Sequence, residues 1–150
     1  MPDRVQFELV TPERLLLSEM VEMVVIPGTE GNFGVLPGHA PLISSIRPGT
    51  IDIYQGQAIV RRIFVVGGIA EVTPELCTVL ADEATAPDEL DRGAIEAELQ
   101  NVQGNLPSLR DRLARATGAE HDTLLVELHR LERQEDILRA KLQALAELPR

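Results

Sequence analysis

The periodicity of apolar residues changes once along this chain, near residue 87, from alternation to heptads, and any fold it adopts must satisfy both halves. In the second half Ile95, Leu99, Val102, Leu106, Leu109, Leu113 and Ala116 recur at steps of four and three, the spacing that keeps side chains on one face of a helix. Leu124, Leu128, Leu131, Glu135, Leu138, Leu142 and Leu145 repeat the pattern. The two stripes have equal length and are separated by the polar stretch 117–123, so the economical arrangement over 88–150 is an antiparallel α-helical hairpin in which each stripe buries the other. Gly104-Asn105-Leu106-Pro107 predicts a kink or break in the first helix, because Pro107 lacks an amide hydrogen and costs about 3 kcal/mol in a helix interior. Glu135 interrupts the second stripe. It lies either near the surface of a loosely packed arm or beside a base such as Arg110 or Arg112 across the hairpin, or Arg139 one turn along.

The first half reads as short strands. Val5, Phe7 and Leu9 alternate with Gln6 and Glu8, and Thr11-Pro12-Glu13 ends that strand as a turn. Further strands are expected over 21–26, 51–54, 58–66, 69–73 and 76–81, punctuated by Pro27-Gly28, Pro48-Gly49 and Gly56. Strands of this length at short intervals predict an all-β flattened sandwich or barrel over residues 1–87. Ala86-Pro87 closes it, with Asp88 expected to cap a helix starting near Glu89.

Composition removes several functions. A net charge of −10 and 3% aromatic residues leave little with which to neutralise phosphates or stack bases, so nucleic acid is not an expected partner. No apolar run approaches the roughly 20 residues of a membrane span, and the first residues carry neither a basic signal segment nor an Arg/Ser-rich transit pattern, so transmembrane insertion is not expected. The lone Cys77 has no disulfide partner within the chain and no nearby histidine, and reads as a small buried apolar residue.

The segment from Pro27 to Leu42 is dense in glycine and proline. A phosphate-cradling loop would lead from strand into helix, whereas here another extended apolar stretch follows. His39 has no serine, cysteine or paired carboxylates near it in sequence, so a structural hydrogen bond suits it better than a catalytic role. Gly31 and Gly34 should resist side chains if their φ angles are positive.

Ile26-Pro27-Gly28, then Gly34-Val35-Leu36-Pro37-Gly38-His39-Ala40-Pro41-Leu42, Arg47-Pro48-Gly49, Val66-Gly67-Gly68-Ile69-Ala70-Glu71-Val72 and Thr78-Val79-Leu80-Ala81-Asp82 together resemble the epsilon subunit of the bacterial F-type, proton-translocating ATP synthase. The resemblance runs in order through almost the whole β half, and the two-helix arm agrees in architecture. It implies a ten-stranded sandwich seated between the gamma subunit and the c-ring: a non-catalytic rotor part coupling c-ring rotation to the gamma shaft and ATP synthesis, peripheral at the cytoplasmic face of the bacterial plasma membrane. By the same resemblance Glu30, Gly31, Asn32 and Phe33 face the c-ring, and His39, Ala40, Pro41 and Leu42 face gamma. Many relatives carry a carboxylate where this chain has Asn32.

In relatives the arm inhibits ATP hydrolysis by reaching an acidic loop of the beta subunit with basic side chains. Arg110, Arg112, Arg115, Arg130 and Arg133 are the candidates here, against the alternative that they form local ion pairs on a solvated face. Some relatives hold ATP through Ile or Leu, Asp, two variable residues, Arg and Ala at the start of the first helix. This chain reads Leu90-Asp91-Arg92-Gly93-Ala94-Ile95, with alanine in place of the phosphate-pairing arginine and Arg92 about 200° away around the helix, so no cofactor is expected. An independent ATP-sensing regulatory module is the alternative function.

Overall fold

A computed structural model describes residues 3–148. They form eight strands, β1 (Val5–Val10), β2 (Leu15–Val21), β3 (Met23–Gly28), β4 (Gly31–Val35), β5 (Leu42–Ser45), β6 (Gly49–Gln55), β7 (Ala58–Val72) and β8 (Leu76–Thr85). A 3-10 turn (Pro87–Glu89) and two helices, α1 (Arg92–Arg115) and α2 (Gly118–Ala146), follow. The chain divides into two compact units that meet between Glu89 and Leu90.

In the first unit the strands join in the order β2-β1-β8-β7-β6-β3-β4, with β5 paired to β7. β1 and β8 run parallel; the other neighbours are antiparallel. Alternation does what it promised: Val5, Phe7 and Leu9 of β1 face inward, as do Ile51 and Ile53 of β6 and Cys77 and Val79 of β8. They meet Val21, Val24, Ile26, Val35, Val65, Ala70 and Val72 in one shared core, so the sheet is folded over on itself as a sandwich. Each large side chain fully buried there stabilises the unit by about 1.5–3 kcal/mol.

The sandwich has eight strands, where the resemblance implies ten. The segments 58–66 and 69–73 are one strand, because Gly67 (φ +63°) and Gly68 (φ +115°) bend β7 without ending it and its pairing to β8 continues on both sides. Sequence alternation alone also passed over three strands, β2, β4 and β5, whose exposure patterns are irregular. The turn at 11–14 is as expected, closed by reciprocal backbone bonds between Thr11 and Arg14 of 2.9 and 3.2 Å.

In the second unit the helices pair along the heptad stripes. Ile95, Val102, Leu106 and Leu109 of α1 are buried with Leu124, Leu128, Leu131 and Leu138 of α2, flanked by Leu99, Leu113, Ala116, Leu142 and Leu145. Three expectations are corrected. α1 is not broken at Gly104-Pro107: it runs without interruption, and although Pro107 gives no hydrogen bond, Leu106 and Leu109 beside it are buried against α2, which offsets the loss. Asp88 does not cap the helix; it lies in the 3-10 turn, and Asp91 is the cap, its Oδ1 accepting from the Ala94 amide at 3.2 Å. The short connection is shorter than the polar stretch 117–123, for α2 already starts at Gly118 and the polarity there reflects an exposed first turn.

Candidate functional site

The tightest local geometry lies at the β3–β4 turn. Gly28 pairs with Gly31, leaving Thr29-Glu30 as a two-residue connection, and Gly31 takes φ +129°, where side chains are rarely found. Gly34 does not share this constraint: its φ is not positive, and a Cβ there would stand 3.6 Å from the Met23 sulfur, an ordinary contact. Thr29, Glu30, Gly31 and Asn32 are exposed, and Phe33 is half-buried against the core.

Behind the turn stands Arg47. Its Nη1 donates to the Gly28 carbonyl at 2.6 Å, its Nη2 to Asn32 Oδ1 at 2.5 Å, and its backbone amide to the Pro27 carbonyl at 3.0 Å. The Thr29 amide donates to the Ser45 carbonyl at 3.0 Å, tying the other side of the turn to β5. One arginine thus braces the end of β3 to the start of β4. Sequence reading placed Arg47 only in the Arg47-Pro48-Gly49 segment of the family resemblance; nothing in the spacing revealed that it spans 15 residues to Asn32.

His39 sits in a separate turn. Its amide donates to the Leu36 carbonyl at 3.1 Å, the preceding Gly38 (φ +82°) donates to the Pro74 carbonyl at 2.9 Å, and its Nδ1 lies 2.6 Å from the Ala40 carbonyl. A carbonyl only accepts, so Nδ1 carries the proton. These bonds fix a loop and assemble no nucleophile or acid–base pair. Ala40, Pro41 and Leu42 are exposed, Leu42 beginning β5 opposite the buried Val72.

The outward side of the same strands holds what sequence reading missed. Ile43, one residue beyond Leu42, is 71% exposed. Across the sheet Ile69 (48% exposed) stands directly opposite Leu80 (53%), and Ser45 and Val10 extend that row. Ile69 and Leu80 make an exposed aliphatic pair on this outer face, with Ile43 in the next row, opposite the exposed Glu71. The signal was present as single apolar residues out of phase with the core, but only strand register brings them together.

Cys77 is buried in the core, and burial pushes its thiol up to about 12, which leaves it unreactive near neutrality. Among the described residues no group of three or more His, Cys, Asp or Glu is placed to hold a metal ion.

On the arm, most of the expected contact arginines are already engaged. Arg110 lies 3.6 Å from Glu132 across the hairpin, Arg115 pairs with Asp111, and Arg130 grips Glu127 through two bonds of 2.6 and 3.0 Å. That grip lowers the Glu127 carboxyl from its ordinary value and raises the Arg130 guanidinium. Arg112 and Arg133 are exposed, Arg112 beside a groove of about 450 Å³ between the helices that Asn101, Asn105, Ser108 and Gln134 also line. Of the alternatives for Glu135, the structure takes the local one, 3.2 Å from Arg139. At the start of α1, Arg92 lies 3.9 Å from Glu96.

Residues 4–87 match the profile of the ATP synthase delta/epsilon chain β-sandwich domain. The chain is 52% identical over 120 residues to the ATP synthase epsilon chain of Rhodospirillum rubrum, covering 80% of this chain and 90% of that one. It is 51% identical over 111 residues to the epsilon chain of Rhodospirillum centenum, covering 71% and 76%. Among solved structures, a chain of the Euglena gracilis mitochondrial ATP synthase, in an assembly of OSCP, F1 and c-ring, superposes with a TM-score of 0.75 at 20% identity over 97% of this chain and 83% of its own. A chain from the central stalk and c-ring of the Tetrahymena thermophila mitochondrial enzyme gives 0.60 at 13% identity over 94% and 96%. At such identities the structural likeness is one of fold.

Proposed function

The chain belongs to the epsilon-chain family of the F-type ATP synthase, and from that premise we infer that it is the non-catalytic rotor subunit that joins the c-ring to the gamma shaft, so that proton-driven rotation reaches ATP synthesis. One observation carries the shaft contact: the exposed aliphatic patch of Ile43, Ile69 and Leu80. An uncovered apolar face on a chain of net charge −10 is a place for a partner, and it continues outward from the His39–Leu42 segment that the family turns toward gamma. At the sandwich's other loop region the β3–β4 turn offers a polar, rigid surface suited to the ring. Among the described residues no helix is long and apolar enough to cross a membrane. On the reading proposed here the subunit is held by ring and shaft, peripheral to the bacterial membrane at its cytoplasmic face.

The test is assembly. Leu80→Glu puts a charge into the patch without touching the core and should abolish co-purification with gamma while the variant stays folded. Unchanged co-purification would remove the patch from the shaft contact.

The arm's regulatory role is proposed on narrower support. For its arginines to reach an acidic loop of the beta subunit the Arg110–Glu132 pair must break, as must the bond from Gln134 Nε2 to Glu98 Oε1, 2.6 Å long. The leucine seam would also need a new apolar cover. We further propose that the arm holds no ATP: the Asp91 carboxylate is occupied as the cap of α1 and Arg92 is turned to Glu96, so neither is organised for phosphate. Calorimetric titration with millimolar ATP should give no heat of binding.

A further inference from the structure

We propose that Asn32 determines which ring surface this subunit fits: clamped through its carbonyl oxygen by Arg47, it presents the two Nδ2 hydrogens of its amide outward and so selects a hydrogen-bond acceptor on the ring. The proposal rests on the reading of the β3–β4 turn as the ring contact and adds to it the polarity of one position.

The orientation of an asparagine amide is ordinarily ambiguous, because its oxygen and nitrogen look alike. Here it is fixed by its neighbour. A guanidinium has five N–H donors and no acceptor, so the Asn32 atom 2.5 Å from Arg47 Nη2 is the oxygen. Arg47 is in turn held at a second point by the Gly28 carbonyl at 2.6 Å and at its own backbone by the Pro27 carbonyl at 3.0 Å. It is half-buried, whereas Asn32 is exposed. The clamp therefore takes up the acceptor end of the amide and leaves the donor end to solvent or to a partner.

The residue type matters at this position. An aspartate would satisfy the same guanidinium, and more strongly as an ion pair, but every outward site would then be an acceptor. A serine or alanine would not reach across to Arg47. Asparagine keeps the clamp and reverses the polarity shown to the outside. Next to it the tip residue Glu30, also exposed, shows a carboxylate. The turn thus displays an acceptor at 30 and a donor at 32, and the complementary ring loop offers a donor to the first and a carbonyl or carboxylate to the second. Arg47 is a positioning residue in this scheme, acting on the ring only through Asn32 and the turn.

The experiment uses the full-length chain and the ring–shaft complex of the same organism stripped of this subunit. Glu30→Cys, labelled with a benzophenone maleimide and photo-crosslinked in the reassembled complex, tests the underlying reading: a product with the c subunit supports it, and a product with another subunit only, or none, overturns both the ring reading and the assignment of the acceptor to the ring. Asn32→Asp then tests the polarity, with affinity measured at 0.1 M and 0.5 M salt and thermal unfolding measured on the free chain. The expected result is an affinity about tenfold lower at both salt concentrations, the loss of one hydrogen bond and the facing of two acceptors, with an unfolding midpoint equal to or above that of the natural chain. Arg47→Gln should weaken binding similarly and lower the midpoint, and Arg47→Lys, which keeps one of the two bonds, should recover part of both. Binding by Asn32→Asp as tight as the natural chain's would overturn the proposal. So would a loss at 0.1 M salt that disappears at 0.5 M, for that is charge repulsion and not a missing donor.

Discussion

Gly68 sits where β7 passes closest to β8: a Cβ built there would stand 2.0 Å from the Leu80 carbonyl oxygen, and the φ of +115° is one that side chains rarely adopt. Neither strand can yield without losing its pairing, so Gly68→Ala should destabilise the β unit by roughly 3–5 kcal/mol, read as a lowered denaturant midpoint. A midpoint within 1 kcal/mol of the natural chain's would show that the strands separate easily there. Cys77 gives a pH prediction of definite sign. Burial raises its folded pKa from about 9 to about 12, so the neutral thiol is the form the fold favours. Its contribution is undiminished below the unfolded pKa and is lost as pH rises from about 9 toward 12, at up to about 1.4 kcal/mol per pH unit. Comparing chemical unfolding of the natural chain and Cys77→Ala across that window isolates the slope, which should be shallower in the variant. The burial of Cys77 was legible from its isolation among apolar residues, and the structural bonding of His39 from its lack of chemical neighbours. Arg47 was not legible, because its two side-chain acceptors lie 19 and 15 residues away and belong to a turn whose shape follows from strand pairing.

At the level of the elements, heptads read more surely than alternation. The α1–α2 seam was visible residue by residue because a helix buries a fixed stripe whatever its neighbours do. The strands β2, β4 and β5 were hidden because their side chains face solvent as much as core, and β7 was divided in two because glycines at 67 and 68 look like a turn when they are a bend. The α1 interior carries two avoidable costs, a glycine with open space at Cβ and a proline. Gly104→Ala should stabilise the arm by about 1 kcal/mol and Pro107→Ala by up to about 3 kcal/mol, seen as a later loss of helical circular dichroism on heating. No change in Pro107→Ala would mean that the helix had already accommodated the missing bond. Across the hairpin, Glu132→Ala removes the partner of Arg110. If the arm inhibits through free arginines, that variant should depress ATP hydrolysis by the assembled enzyme further than the natural chain does; unchanged hydrolysis would separate the Arg110–Glu132 pair from regulation.

For the molecule as a whole, each unit has a core of its own, one of alternating strands and one of paired leucine stripes. The family match lies within the first, over residues 4–87, and so do the bracing arginine, the turn and the exposed aliphatic patch. On the proposed reading attachment belongs to the sandwich, where among the described residues the histidine secures a loop and the cysteine is sealed in the core. The direct measurement is ATP-driven proton pumping in membrane vesicles whose ATP synthase has been stripped of this subunit and then supplied with the purified full-length chain. The natural chain should restore pumping and Leu80→Glu, added folded at the same concentration, should not. If the natural chain leaves pumping at the stripped level, or the two restore it equally, the subunit does not couple ring to shaft in the way its fold implies.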